Sequence, residues 1–338
     1  MSMNASAPQV NALPHDRWRL AEIVFWLVPV AAYFAFPDYL ILGNQVLFTA
    51  LFAVSLDLIL GYAGILSLGH AAFFGIGAYT AGLLAAHGWS EPLSGLLAAC
   101  VVSGICGFFL SFLVVRGQDL TRLMVTLGMG LMTYEVVNQA SSFTGGVDGL
   151  SGVTMSKLFG VFEFDLNGRI AYWYSLIVLF LVFVFLRRLV ASPFGLSLAG
   201  LREQPRRMSA IGANVPRRLM AVYTIGAAVA GIAGALLAQT TQFVGIDSLG
   251  FPRSAELLVM LVLGGTGRLY GGLIGAAVFI LMQDYLSGLN PVYWQFWIGA
   301  LLVAVVMFAH GGILGALDRV RAIVKKRVGG RIKKRSRA

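Results

Sequence analysis

Ile170-Ala-Tyr-Trp-Tyr-Ser-Leu-Ile-Val-Leu-Phe-Leu-Val-Phe-Val-Phe-Leu-Arg-Arg188 decides the class of fold. No charge interrupts the stretch before Arg187, and its apolar residues occupy every side of a helix rather than one stripe. A helix rises 1.5 Å per residue, so roughly 20 apolar residues cross a hydrocarbon layer about 30 Å thick. A helix apolar all round belongs in lipid or deep in a core. The Arg pair that closes the stretch is the flank expected on the cytoplasmic side.

Nine more apolar segments surround this one. The full set runs 20–36, 41–60, 66–87, 93–115, 121–139, 170–188, 217–239, 254–264, 272–289 and 294–310. Segment 66–87 is rich in Gly and Ala and contains His70. Segment 254–264 is too short for a straight crossing, so a tilted or broken helix buried by its neighbours is expected there. Over the whole chain of 338 residues, 58% are hydrophobic and 12% charged. Soluble domains carry about a quarter of their residues as charges. The expected fold is therefore an all-α polytopic membrane protein of about ten transmembrane helices.

The net charge of +10 raises nucleic acid as a partner, and its distribution argues against it. Ten of the 25 basic residues follow Gly311, and seven Arg lie between Arg187 and Arg218. Ten crossings put both termini on one side. With the termini inside, 22 basic residues fall inside, and only Lys157, Arg169 and Arg253 fall outside. That asymmetry is what the positive-inside rule requires. The first apolar run lacks a small-residue cleavage site and reads as a retained span. Cys100 and Cys106 share one apolar run and read as small packing hydrophobes.

The chemistry absent from the sequence narrows the function. No Lys follows a Gly, so there is no phosphate-cradling Gly-Lys-Ser/Thr loop. A His-Glu-x-x-His zinc pattern and a Gly-x-Ser-x-Gly elbow are also missing. An embedded enzyme is disfavoured, and no metal or cofactor is expected on this chain. Carboxylates near the ends of spans include Asp57, Glu135 and Glu256. None sits clearly at mid-bilayer, where an ion-coupled carrier would keep one. Glu135 and Glu256 are open to two readings, a substrate ammonium contact or a helix cap. His70, Gln45 and Asn138 line the pathway on one reading and hydrogen-bond neighbouring helices on the other. Stripes of small residues at Gly226, Ala230 and Gly234, and at Gly271 and Gly275, read first as helix packing. Glycines in 61–77 and 264–275 also permit bends beside a pathway.

The longest inner gap, 189–216, holds Arg202-Glu-Gln-Pro-Arg-Arg-Met-Ser-Ala-Ile-Gly-Ala-Asn-Val215. Pro205 is placed to start a short helix with Met208 and Ile211 on one edge. That helix suits either a protein groove or a surface of anionic headgroups.

Several long motifs in one order resemble the permease subunits of branched-chain amino acid ABC importers, the M type in particular. They are Gly61-Tyr-Ala-Gly-Ile-Leu-Ser-Leu-Gly-His-Ala-Ala-Phe-Phe-Gly-Ile-Gly-Ala-Tyr79, Thr144-Gly-Gly-Val-Asp-Gly149, Ser192-Pro-Phe-Gly195, the loop 202–215, and Leu261-Val-Leu-Gly-Gly-Thr-Gly-Arg-Leu-Tyr-Gly-Gly272. The similarity covers roughly residues 40–315. It departs at Gln204-Pro205-Arg206, where relatives often carry an acidic or Asn-rich stretch, and at Thr266 and Arg268.

The resemblance implies a second, H-type permease, two ATPase subunits that use the ATP, a periplasmic solute-binding protein and a place in the bacterial inner membrane. The implied division is a cytoplasmic segment 1–19, a permease domain 20–310 with coupling loop 189–216, and a basic cytoplasmic tail 311–338. Spans 2–5 and 7–10 are expected to flank that loop in opposite orientation. Residues implied in ATPase coupling are Arg202, Glu203, Met208, Ala210, Ile211 and Gly212. Candidate pathway residues are Gln45, Ser67, His70, Gly75, Gly77, Asn138 and Glu256. Thr144, Gly145, Gly146, Asp148 and Gly149 form the periplasmic loop motif. The solutes implied are branched-chain amino acids, with urea, short amides and aromatic acids carried by related systems. A stand-alone secondary carrier is the rival class.

Overall fold

The computed structural model describes residues 20–117, 119–156, 168–291, 293–308 and 312–315. Among them the chain is helical, with one isolated antiparallel bridge between Leu150 and Val244. The helices are α1 Leu20–Ala35, α2 Leu40–Asp57, α3 Ala71–Ala86, α4 Pro92–Arg116, α5 Asp119–Gln139, α6 Ser141–Thr144 and α7 Arg169–Ala191. They continue as α8 Pro193–Glu203, α9 Pro205–Ala210, α10 Val215–Thr241, α11 Phe251–Gly264, α12 Leu269–Leu289 and α13 Trp294–Phe308.

Each of the ten apolar segments carries a helix. By length and composition, five stretches qualify to cross a membrane: Pro37–Tyr62, Pro92–Arg116, Arg169–Ala191, Val215–Thr241 and Leu269–Leu289. The remaining five helices are shorter or more polar. Helix α11 has 14 residues, about 21 Å of rise, less than the hydrocarbon thickness. Helix α5 has 21 residues but carries Thr121, Thr126, Thr133, Tyr134, Glu135, Asn138 and Gln139.

Segment 66–87 departs from a continuous helix. The α2 helix ends in a π-helical turn, Leu58–Tyr62, and regular helix resumes at Ala71. Gly64 takes φ +72°, a left-handed value that ends the run. The irregular backbone finds side-chain partners from distant helices. Leu68 N donates to Thr126 Oγ1 at 3.3 Å, and Ala71 N donates to Ser254 Oγ at 3.0 Å. Non-helical backbone is tolerable at membrane depth when protein covers it in this way.

Helix α10 is the centre of the bundle, packed on α4, α3 and α2. Its small residues permit this. A Cβ on Gly234 would overlap the Phe74 carbonyl oxygen of α3, one on Gly77 would overlap the Gly231 carbonyl of α10, and one on Gly231 would overlap Ser103 of α4. Helices α11 and α12 approach as closely, since Gly264 faces the Gly271 carbonyl and Gly275 faces the Met260 carbonyl. In lipid, where water no longer drives helices together, such close backbone contact is the main source of association. The glycine stripes therefore pack helices. Bends occur where φ turns positive, at Gly64, Gly265 (+106°) and Gly267 (+79°).

One buried polar network joins three helices. Tyr174 Oη donates to Gln239 Oε1 at 2.9 Å, and Gln239 Nε2 donates to the Pro92 carbonyl at 2.7 Å, joining α7, α10 and α4. Cys100 and Cys106 are half-buried free thiols on α4.

Long-range contacts sort the connections into two ends. At one end Arg187 pairs with Glu22 at 2.7 Å, and the α2–α3 turn meets both α8 and the α11–α12 turn. At the other, Leu150 pairs with Val244, and Ser156 N donates to the Ser90 carbonyl at 2.9 Å. The first end collects the Arg-rich gaps.

Candidate functional site

The Arg-rich end brings together three sequence motifs. Asp57, the last residue of α2, is fully buried, and its Oδ1 accepts from Gly267 N at 2.7 Å. The Arg268 backbone and the Arg202 guanidinium also act on this carboxylate. Arg202, in the last turn of α8, donates through Nη1 to the Gly61 carbonyl. The turns can meet because they lack side chains. A Cβ on Gly61 would overlap Asp57 Oδ1 and sit 2.5 Å from Gly267 N. A Cβ on Gly267 would lie 2.9 Å from Arg202 Nη1, and one on Gly64 would lie 3.1 Å from Arg202 Cγ. Asp57 is the residue that motif reasoning left out of the candidate set. Its signal was a lone carboxylate in an otherwise apolar helix, a costly placement that calls for a partner.

Beside this junction the α8–α9 segment is presented outward. Glu203, Arg206, Arg207, Ala210, Ile211 and Gly212 are exposed. The helix expected at Pro205 starts there, with Gln204 at its N-cap and no side-chain cap bond. Met208 turns inward, so that its Sδ lies 2.7 Å from where a Gly200 Cβ would stand. Ile211 stays 76% exposed. Gly212 takes φ +86° and has open space around it, and Asn214 Oδ1 then caps α10 by accepting from Arg217 N at 3.2 Å.

The candidate pathway residues separate into three places. Ser67 and His70 are buried near the α2–α3 turn. His70 Nε2 lies 2.8 Å from Ser55 Oγ. Ser55 spends its hydroxyl proton on the Phe52 carbonyl at 2.6 Å, so the histidine is the donor and its proton is on Nε2. The His70 ring stacks on Phe52 at 5.6 Å between centroids. Gly75 and Gly77 face Leu249 and the α10 backbone, with no room for a larger residue.

Gln45 and Glu256 lie instead at the opposite end, on two adjoining cavities. Gln45 lines a cavity of about 510 Å³ with Asn44, Thr240, Thr241 and Gln242. Glu256 lines one of about 400 Å³ with Asp247 and Ser248. Arg253 borders both, 3.2 Å from Glu256 and 5.9 Å above the Phe74 ring centre. Asn138 sits apart, half-buried in the last turn of α5.

The loop motif after α5 is a folded turn at this same end. Thr144 Oγ1 donates to the Val137 carbonyl at 2.7 Å and accepts from Gly146 N at 3.2 Å. Gly145, Gly146 and Gly149 all have positive φ. Asp148 is exposed, while Gly149 is pressed against Phe243 and the Val244 carbonyl. Among the described residues no group of three or more His, Cys, Asp or Glu is arranged to hold a metal ion.

Comparison with known proteins follows this geometry. The family described as branched-chain amino acid transport system / permease component matches residues 39–306. The high-affinity branched-chain amino acid transport system permease protein LivM of Salmonella typhimurium is 30% identical over 288 residues, 77% of this chain and 66% of that protein. The LivM protein of Escherichia coli is 29% identical over 287 residues, with the same coverage. The chain thus aligns with just under two thirds of the length of these relatives. The E. coli permease protein LivH is 25% identical over 296 residues, 79% of this chain and 91% of that protein. No solved structure matches the chain significantly.

Proposed function

The chain belongs to the branched-chain amino acid transport permease family, and we propose that it is one of two permease subunits of an ABC importer. Its solutes on this reading are branched-chain amino acids or related small polar, amide or aromatic compounds. A periplasmic binding protein delivers them, and two separate ATPase subunits supply the energy. The second permease is of the H type, in keeping with the similarity to LivH over most of the chain. The chain binds no nucleotide or other cofactor of its own, and it is a transport subunit rather than an enzyme.

One observation carries the reading. An exposed α8–α9 segment stands at one end of an apolar bundle, and two largely apolar cavities edged by polar and charged side chains open at the other. A bundle that takes up solute at one end and receives force at the other needs both features. The test is reconstitution of the complete complex in proteoliposomes. Uptake of leucine should require loaded binding protein and ATP on the ATPase side, and should persist after ion gradients collapse. Uptake driven by an ion gradient without the ATPase subunits would establish the secondary carrier instead.

The same reading assigns ten crossings of the inner membrane with both termini cytoplasmic, so that the shorter helices cross as tilted or partly buried segments. The 22 to 3 partition of basic residues and the two-ended sorting of contacts support it. In intact cells whose outer membrane has been permeabilised, an impermeant maleimide should label Asp148→Cys and Asp247→Cys and spare Arg206→Cys. Labelling at position 206 would invert the map. Anionic lipid near the Arg-rich end is the expected neighbour of the exposed arginines.

A further inference from the structure

We propose that Arg202 is a positioning residue which, with Asp57, ties α8 to the two glycine turns and so transmits movement of α8–α9 to an inner gate; the proposal rests on the permease reading above. The gate is the pair of turns 61–70 and 264–268.

The geometry favours transmission over simple packing for three reasons. First, the tie joins segments far apart in the chain: residue 57 to 267 and residue 202 to 61. Second, Arg202 is itself exposed, so the tie stands where the α8–α9 segment faces outward. Arg202 reaches one carbonyl through Nη1 while lying against Gly64 and Gly267, each with a positive φ and no side chain. Third, the carboxylate it faces is fully buried and held by backbone amides. A buried charge keeps its place only while its partners stay, so withdrawing Arg202 leaves Asp57 and the Gly61 carbonyl under-satisfied.

A displacement of α8 toward the ATPase therefore changes the stability of both turns together. The α2–α3 turn carries Ser67 and His70, and the α11–α12 turn begins the helix that packs on α2. Contacts that tie two turns to one helix let a small shift of that helix bias both turns between two packings.

The experiment uses the complete reconstituted complex with Arg202→Gln, Arg202→Lys and Asp57→Asn, each also made with Ser67→Cys as a reporter. Ser67 is fully buried. Expected for Arg202→Gln and Asp57→Asn is ATP hydrolysis within about twofold of wild type, with solute moved per ATP reduced about tenfold or more. Position 67 should react with a water-soluble maleimide from the cytoplasmic face about tenfold faster than in the Arg202 background. Arg202→Lys, which keeps the charge facing Asp57, should retain more of the coupling than Arg202→Gln. Unchanged uptake per ATP would overturn the proposal. So would hydrolysis and uptake falling together with the amount of assembled complex, because that marks a purely structural staple. A wild-type complex without ATP-driven uptake would overturn the permease reading and this proposal with it.

Discussion

Replacing Gly234 with Leu should abolish accumulation of the folded protein in the membrane. At this position α10 lies directly against the backbone of α3. An added Cβ overlaps the Phe74 carbonyl oxygen and comes within 2.8 Å of Ala78 N. Both obstacles are main chain, so no rotamer change can yield, and the helices must part along their whole contact. Overpacking a core with side chains free to move costs about 1–3 kcal/mol, and more where backbone must shift. The contact is also reciprocal. Gly77 of α3 sits on Gly231 of α10, and Gly231 sits in turn on Ser103 of α4. Separating α10 from α3 loosens the packing that holds three helices. Gly128→Ala is the control, since a Cβ there has open space, and a helical Gly→Ala change gains up to about 1 kcal/mol. Monodisperse protein recovered in detergent and its melting temperature decide the matter. A Gly234→Leu protein that melts with wild type would show that α10 and α3 are not closely apposed in the membrane.

The helices were legible because lipid imposes a length and a composition that any window of the chain either meets or fails. Ile170–Arg188 meets both, and α7 lies where the apolar run does. The break at 63–70 was harder to see. Its residues are as apolar as a helix requires, and the partners that hold the irregular backbone include Thr126 and Ser254 from distant helices. Local composition carries no trace of a partner 58 or 183 positions away.

The site shows the same limit. Arg202 and the two glycine turns stood out as motifs. Their meeting at Asp57 depends on a pairing across 210 residues. His70 illustrates the converse. Alone in a Gly-rich span it suits a pathway or a structural bond, and its placement between Ser55 and Phe52 ties it to the packed side of α2. Gly75 and Gly77 are small for the sake of neighbouring helices, which no count of glycines distinguishes from room for a solute.

Ile211→Glu should release the ATPase subunits while leaving the permease folded. The α9 helix was expected to offer Met208 and Ile211 as one apolar edge. The structure divides them. Met208 closes over Gly200 and packs against the core, whereas Ile211 is 76% exposed beside Arg206 and Arg207. An exposed branched side chain at the end of a short helix, with Gly212 free to turn the chain away, is the part of this segment best placed to enter a partner's groove. Burying a carboxylate in such a groove without a partner costs more than losing the apolar contact. A central anchor residue contributes about 2 kcal/mol or more, so affinity for the ATPase should fall at least about thirtyfold. Met208→Ala supplies the contrast. It removes packing inside the chain and should lower the melting temperature, with a smaller effect on docking. The measurement is binding of the purified ATPase subunits to the two-permease complex in nanodiscs, with melting temperature recorded beside it. If α9 instead lay on anionic lipid, Ile211→Glu would weaken membrane contact of the segment and leave ATPase affinity at the wild-type value. Wild-type affinity in Ile211→Glu, with loss in Met208→Ala, would move the docking edge to the inward side of the helix.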